Sequence, residues 1–154
     1  MGPLAHDRRI PFVDALIKDA VHSGGRLLTG GERLPGKGYF HAPTVLKDVP
    51  ETARIMNEEP FGPVAIINPF GSFDEAVAKA NRLPFGLAAY AFTQNSRRVN
   101  LLGEQLEAGM VAINSFLVSV PESPFGGVKE SGHGSEEGIE GLDACLVTKF
   151  ISES

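Results

Sequence analysis

The sequence predicts an α/β fold with a parallel sheet, and the order of its elements is the main reason. Apolar, β-favouring segments at residues 63–70, 87–93 and 110–114 alternate with two segments of helical periodicity. Strands that alternate with helices in this way are typical of parallel sheets with right-handed crossovers. The first of these strands is almost entirely apolar, so we expect it to be buried on both faces.

Local signals predict where the helices begin and end. A first helix is expected before Gly24-Gly25, because apolar residues recur there at helical spacing. Ser72 followed three residues later by Glu75 matches the capping box that starts a second helix. A third helix is expected to begin at Asn95 or Ser96 and to end at Gly109. The apolar positions of the first helix are Ile10, Val13, Ile17, Ala20 and Val21.

Shorter elements complete the first half of the chain. Residues 26–29 are expected to form a short strand. Residues 39–46 favour an edge strand or a bent crossing, because Pro43 interrupts them. Residues 51–56 predict a single helical turn.

The C-terminal part is predicted to hold a functional loop. Because parallel sheets bind ligands at the carboxyl ends of their strands, the polar loop 115–135 that follows Asn114 is the expected position of a site. A weak helix at residues 136–144 and a terminal strand at residues 145–151 are expected after it.

Bulk composition argues against several classes of partner. The 154 residues suffice for one compact domain, and 14 basic against 19 acidic side chains give a formal net charge of −5. This balance provides no electrostatic reason to bind nucleic acid or an anionic membrane. No apolar run approaches the ~18 residues that cross a bilayer, and residues 1–9 lack the apolar core of a signal peptide. One cysteine, Cys145, excludes an internal disulfide and fits a reducing cytoplasm, where we expect the protein to be.

Three candidate sites are better explained by ordinary structure. Residues 31–38 imitate a phosphate-binding loop, but Gly38 stands where a hydroxyl is needed and no helix follows. The four histidines are too far apart to predict a metal site, so we interpret them as surface or loop residues. The apolar neighbours of Cys145 predict a small packed hydrophobic residue rather than a nucleophile.

Two other segments are more informative. Residues 57–64 place adjacent carboxylates before a phenylalanine and a Gly-Pro step, and residues 123–132 place a phenylalanine in a glycine-rich loop. Taken separately, each could be a solvated acidic turn or a surface loop with a hydrophobic anchor.

Together these segments resemble the aldehyde dehydrogenase superfamily. The family pattern E-E-x-F-G-P-V matches residues 58–64, and P-F-G-G-x-K-x-S-G matches residues 124–132 without a gap. Shorter matches extend the resemblance over nearly the whole chain. It implies that residues 1–144 form the C-terminal portion of the catalytic domain, with part of its parallel three-layer sheet. Residues 145–154 would then be an oligomerisation strand and tail.

The resemblance also implies roles for four residues. Glu59 would accept hydrogen bonds from the nicotinamide ribose of NAD or NADP, and Phe61 would pack beside the nicotinamide ring. Phe125 would line the aldehyde pocket. The loop before it resembles the succinate-semialdehyde dehydrogenase branch, in which a serine matching Ser119 binds the distal carboxylate of the substrate. Glu58 is assigned no role.

The catalytic residues of the family match nothing in this sequence. The attacking cysteine, the oxyanion-binding asparagine and the general base would precede Met1, and Cys145 corresponds to none of them. We therefore expect no catalytic residue and no metal ligand here, and an isolated chain that is inactive. A homo-oligomer formed through the C-terminal strand is expected. The alternative is a non-catalytic α/β assembly module derived from the same family.

Overall fold

The computed structural model describes residues 1–153, which form two compact units divided after Phe70. The first unit contains helix α1 (Arg9–His22), the strands β1 (Arg26–Thr29), β2 (Thr44–Lys47) and β3 (Val64–Ile67), and a 3-10 helix, Arg54–Met56. Strand β2 lies in the middle of a three-stranded sheet, antiparallel to β1 and parallel to β3.

The core of the first unit lies between α1 and the sheet. Val13, Leu16 and Ala20 of the helix are fully buried, as is Leu46 of β2. Val49, Ala53 and Ile55 complete the same cluster. Four of the five predicted apolar positions of α1 are buried, as the sequence periodicity predicted, but Val21 is 43% exposed and the unpredicted Leu16 takes part in the core.

The prediction that β3 is buried on both faces is wrong for this chain. Val64 and Ile66 pack against the core cluster, whereas Ala65 and Ile67 are exposed. Successive side chains of a strand point to opposite faces, and within the first unit only one face of β3 is covered.

His41 also departs from the prediction of a surface histidine. Its side chain is completely buried, with Nε2 3.0 Å from Asp14 Oδ1 and Nδ1 3.0 Å from the carbonyl oxygen of Ala42. The loop before it, which imitates a phosphate-binding motif, contains no helix. A phosphate-binding loop must open a helix, and none follows this one.

The second unit, from Gly71 onward, contains two helices and two small sheets. Its helices are α2 (Phe73–Ala80) and α3 (Ser96–Gln105), and its strands are β4 (Phe85–Gly86), β5 (Ala88–Ala91), β6 (Met110–Ile113) and β7 (Val128–Lys129). Strands β5 and β6 are parallel, with α3 connecting them, whereas β4 and β7 are antiparallel. The strand–helix–strand prediction is confirmed for β5–α3–β6. No sheet in the described residues contains more than three strands.

Both helix starts of the second unit are confirmed. The hydroxyl of Ser72 accepts a hydrogen bond from the backbone N–H of Glu75 at 3.1 Å. The Glu75 carboxylate in turn accepts from the N–H of Gly71, one residue before the cap, at 2.6 Å. Asn95, not Ser96, caps α3 by accepting from the N–H of Arg98. Side chains thus satisfy backbone donors that have no partner within the helix.

The C-terminal segment corrects two predictions. A 3-10 helix, Ile139–Cys145, replaces the weak α-helix, and residues 146–151 form no strand. Leu146 has an extended backbone, with φ −113° and ψ 150°, but a strand also needs a hydrogen-bonded neighbour. In the described part of the chain, none of the helices combines the length and apolarity of a bilayer crossing.

Candidate functional site

The acidic loop of the first unit holds two neighbouring carboxylates in different surroundings. Glu58 is paired with Arg54, whose Nε lies 2.8 Å from Oε1 and whose Nη2 lies 3.0 Å from Oε2. The hydrogen bond from Arg54, and its positive charge, hold the pKa of the Glu58 carboxyl below its ordinary value. Both carboxylate oxygens of Glu58 are therefore engaged by Arg54.

Glu59 has the opposite character. Its side chain is exposed, and within residues 1–153 no hydrogen bond or ion pair reaches it. A carboxylate in this state can accept two donors at once. Of the two carboxylates in this loop, Glu59 is thus the one without an ion-pair partner in the described residues.

The ring of Phe61 is presented to solvent by an unusual backbone. Its side chain is 71% exposed, and its φ of 37° is in the left-handed region that non-glycine residues seldom adopt. The next residue, Gly62, is pressed against α1, where a Cβ would come within 2.7 Å of Val13 Cγ2. Side-chain packing on α1 therefore fixes the loop beside Phe61.

Arg9 holds the same loop and was missed by the sequence analysis. Its Nη2 donates to the carbonyl oxygen of Pro60 at 2.6 Å. The guanidinium Cζ lies 4.4 Å from the centroid of Phe12 and 5.6 Å from that of Phe61. A single arginine 51 residues away in sequence has no local pattern that would have identified it.

In the second unit, Phe125 lines a cavity of about 700 Å³. Its backbone exchanges two hydrogen bonds with Glu136, each 2.7 Å long, and its side chain is half-buried. Ser131, His133, Glu137 and Leu142 are among the other residues that line this cavity.

Glycines allow the segment around Phe125 to fold tightly. A Cβ on Gly109 would lie 1.9 Å from the carbonyl oxygen of Gly126, and one on Gly126 would lie 2.6 Å from that of Gly134. Backbones this close leave no space for a side chain. The glycine-rich composition is therefore a packing requirement of the cavity wall.

Lys129 and Ser131 of the same motif connect the loop to β4. Lys129 Nζ donates to the carbonyl oxygens of Asn81 and Leu83, at 3.0 and 3.1 Å, and also forms an ion pair with Glu107. The Ser131 hydroxyl accepts from the N–H of Gly86 at 2.9 Å. Both residues have structural roles that the sequence analysis did not assign.

Ser119 is exposed and does not itself line the cavity. Its hydroxyl lies 3.3 and 3.2 Å from the two carboxylate oxygens of Glu137, which does line it. A serine has one proton to donate. In this structure that proton is directed at Glu137.

Cys145 corrects the prediction of a packed thiol. It is exposed and contributes to the cavity that Phe125 lines. Among residues 1–153, no three histidine, cysteine, aspartate or glutamate side chains are grouped so that they could hold a metal ion.

Comparison with known proteins identifies the relatives of this chain. Residues 1–151 match the family model described as "Aldehyde dehydrogenase family". The chain is 52% identical over 151 residues to 4-(hydroxymethyl)benzenesulfonate dehydrogenase TsaD1 of Comamonas testosteroni, covering 98% of this chain and 31% of that protein. It is 42% identical over 151 residues to the succinate-semialdehyde dehydrogenase of Paenarthrobacter nicotinovorans, covering 98% and 34% respectively.

The fold agrees with these matches. The chain is similar to the NAD⁺ complex structure of an aldehyde dehydrogenase from Bacillus cereus, with a TM-score of 0.89, 40% identity, and coverage of 93% of this chain and 29% of that one. It spans about a third of the length of the curated relatives it matches. The resemblance inferred from the two motifs is confirmed, and this chain belongs to the aldehyde dehydrogenase family.

Proposed function

We propose that this chain contributes to the NAD(P)-dependent oxidation of a small aldehyde to a carboxylic acid, with succinate semialdehyde or a similar compound as substrate. Glu59 and Phe61 hold the cofactor, and Phe125 and Ser119 contact the aldehyde. The observation that carries the proposal is the difference between two neighbouring carboxylates. Arg54 neutralises Glu58, while Glu59 remains exposed and unpaired beside the exposed ring of Phe61.

The residues present fit a nicotinamide nucleotide. A carboxylate suits two vicinal ribose hydroxyls, because each of its oxygens can accept one. Hydrogen bonds to a charged group contribute about 1.5–3 kcal/mol each. The exposed ring of Phe61 offers an apolar surface to a flat heterocycle. When bound, the nicotinamide of NAD or NADP accepts hydride.

The substrate pocket is proposed for the second unit. Its cavity of about 700 Å³ falls within the ~300–1,000 Å³ typical of small-molecule sites. The two enzymes compared above are named for compounds that carry a sulfonate and a carboxylate, and we propose a distal anion for this substrate as well. Ser119 would donate to that anion after turning its hydroxyl from Glu137.

The isolated chain is proposed to be inactive. In this family a cysteine attacks the aldehyde, backbone and amide donors stabilise the oxyanion, and a carboxylate activates water. Cys145 does not correspond to the attacking thiol, and no residue of this sequence matches the other two roles. The cytoplasmic location stays a prediction.

The test compares Glu59→Gln with Glu58→Gln in the natural-length polypeptide, meaning the protein as the cell makes it with this sequence included. Glu59→Gln should weaken cofactor binding about tenfold, the factor that corresponds to one charge-assisted hydrogen bond. Glu58→Gln should leave it within about twofold, because its partner Arg54 is exposed. Equal cofactor dissociation constants for the wild type and Glu59→Gln, measured by titration calorimetry, would remove Glu59 from the site.

A second candidate role, assembly, is favoured by the C-terminal segment. Leu146, Val147, Phe150 and Ile151 are 68–93% exposed, an unusual density of apolar side chains on a surface. We propose that this segment pairs with a second copy of the chain by strand addition. Light scattering should show a homo-oligomer that a chain ending at Cys145 no longer forms. A monomeric full chain would contradict this role.

A further inference from the structure

Arg9 has contacts that its position on a helix does not require. It is the first residue of α1, yet its side chain extends to the loop that contains Glu59 and Phe61. Its Nη2 binds the carbonyl oxygen of Pro60, between those two residues, at 2.6 Å. An arginine that bonds backbone and stacks on rings acts by geometry as well as by charge.

The guanidinium is enclosed by two aromatic rings. Its Cζ lies over Phe12 at 4.4 Å and over Phe61 at 5.6 Å, both within the ~6 Å range of a cation–π contact. Its Nε is buried and has no hydrogen-bond partner in the described residues. Burial of a donor without an acceptor is unfavourable, so the ring contacts and the bond to Pro60 must offset it.

We propose that Arg9 is a positioning residue for the cofactor. It holds the backbone at Pro60 so that Glu59 and Phe61 face their ligand, and its charge polarises the Phe61 ring. The inference rests on the proposed function, because the polarisation of the Phe61 ring can be measured only through a nicotinamide bound beside it. The left-handed backbone of Phe61 needs such support, since strained conformations persist only where their surroundings impose them.

The charge of Arg9 has a consequence for the two redox forms of the cofactor. A cation over one aromatic ring reduces the attraction of the same ring for a second cation. The oxidised nicotinamide carries a positive charge, and the reduced one is neutral. Arg9 therefore disfavours binding of the oxidised form relative to the reduced form.

Two measurements test this role, with Arg8→Met as the matched control. Arg8 is the exposed neighbour of Arg9 and has the same charge. In the chain itself, Arg9→Met should lower the backbone amide NMR order parameters of Glu59, Phe61 and Gly62 from about 0.85 towards 0.6, while Arg8→Met leaves them unchanged. In the natural-length polypeptide, the ratio of the oxidised to the reduced cofactor dissociation constant should fall about threefold in Arg9→Met. Arg9→Lys, which keeps the charge, should restore the ratio.

Each outcome is decisive. Unchanged order parameters in Arg9→Met would overturn the proposal, and so would a parallel loss of both affinities without a change in their ratio. If the order parameters fall but the wild-type polypeptide binds neither cofactor form, the proposed function fails. The anchoring of the loop by Arg9 then remains, without its role toward a cofactor.

Discussion

His41 and Asp14 form a contact that connects the loop before β2 to helix α1, with His41 Nε2 3.0 Å from Asp14 Oδ1. The imidazole is fully buried, whereas the carboxylate is 30% exposed. Its other nitrogen faces the carbonyl oxygen of Ala42. Each ring nitrogen thus has an acceptor in reach, and the ring is part of the core of the first unit.

Replacement of this histidine should destabilise the first unit. His41→Leu removes both polar contacts from a buried position, and we expect a loss of about 2 kcal/mol in the free energy of unfolding. His22→Leu, at an exposed position on the same unit, should change it by less than about 0.5 kcal/mol. Urea denaturation measures both. Equal urea midpoints for the wild type and His41→Leu would show that the buried contact contributes nothing to the free energy of unfolding.

The pair formed by Arg54 and Glu58 predicts a pH dependence of known sign. The folded state lowers the pKa of Glu58. The ion pair with Arg54 therefore stabilises the folded state fully above the unfolded pKa of Glu58, and this stabilisation is lost as the pH falls through the folded pKa. It is therefore complete at neutral pH and disappears in acid. Arg54→Gln should raise the Glu58 pKa to its ordinary value in an NMR titration. An unchanged titration curve would contradict the pairing.

Lys129 should contribute to the stability of the second unit. Lys129→Met removes two hydrogen bonds to carbonyls and an ion pair at a partly buried position, and we expect a loss of about 2 kcal/mol. The matched control is Lys149→Met, since Lys149 is exposed. Thermal unfolding of both variants tests this prediction. An equal loss of stability in Lys149→Met would show that the contacts of Lys129 do not stabilise the second unit.

Two glycine substitutions should have opposite effects. Gly109→Ala places a Cβ 1.9 Å from the carbonyl oxygen of Gly126 and should cost about 3 kcal/mol or more, because backbone must move. Gly103→Ala, inside α3 and with nothing within 4 Å of the added Cβ, should stabilise by about 0.5–1 kcal/mol. Denaturant titration distinguishes the two, and tolerance of alanine at position 109 would disagree with the close packing described here.

Glu137 should oppose binding of an anionic substrate. Its carboxylate accepts the hydrogen bond of the Ser119 hydroxyl and places a negative charge beside it. Glu137→Gln should therefore lower the KM for succinate semialdehyde about threefold in the natural-length polypeptide. An aldehyde without a distal anion should show no such change. Glu122→Gln, at another exposed position of the loop, serves as the control. A raised KM for the anionic aldehyde would argue against Ser119 as its ligand.

Features encoded by neighbouring residues could be predicted from the sequence. The starts of α2 and α3 follow from Ser72 and Asn95, because a cap needs only residues within one helical turn. The motif around Glu58 also revealed the family. The different surroundings of Glu58 and Glu59 depend on Arg54, only four residues before the first of them.

Features that depend on distant residues could not be predicted. The burial of His41 depends on Asp14, 27 residues away, and the contacts of Lys129 reach 48 residues back. The exposed face of β3 depends on what covers the strand, which its own composition does not specify. Residues 146–151 have the composition of a strand, but composition does not supply the neighbour that a strand requires.

The ion pair of Arg54 makes Glu58 differ from Glu59, although the two neighbouring side chains are chemically identical. A mutation that removed the arginine would leave two unpaired carboxylates side by side. Under the proposed function, the ribose hydroxyls would then be accepted by either carboxylate. Under the proposed function, loss of this arginine would therefore weaken discrimination between the two carboxylates, beside the small loss of stability expected of an exposed ion pair. Under the proposed function, selectivity at this loop therefore depends on Arg54, a residue that does not itself contact the ligand.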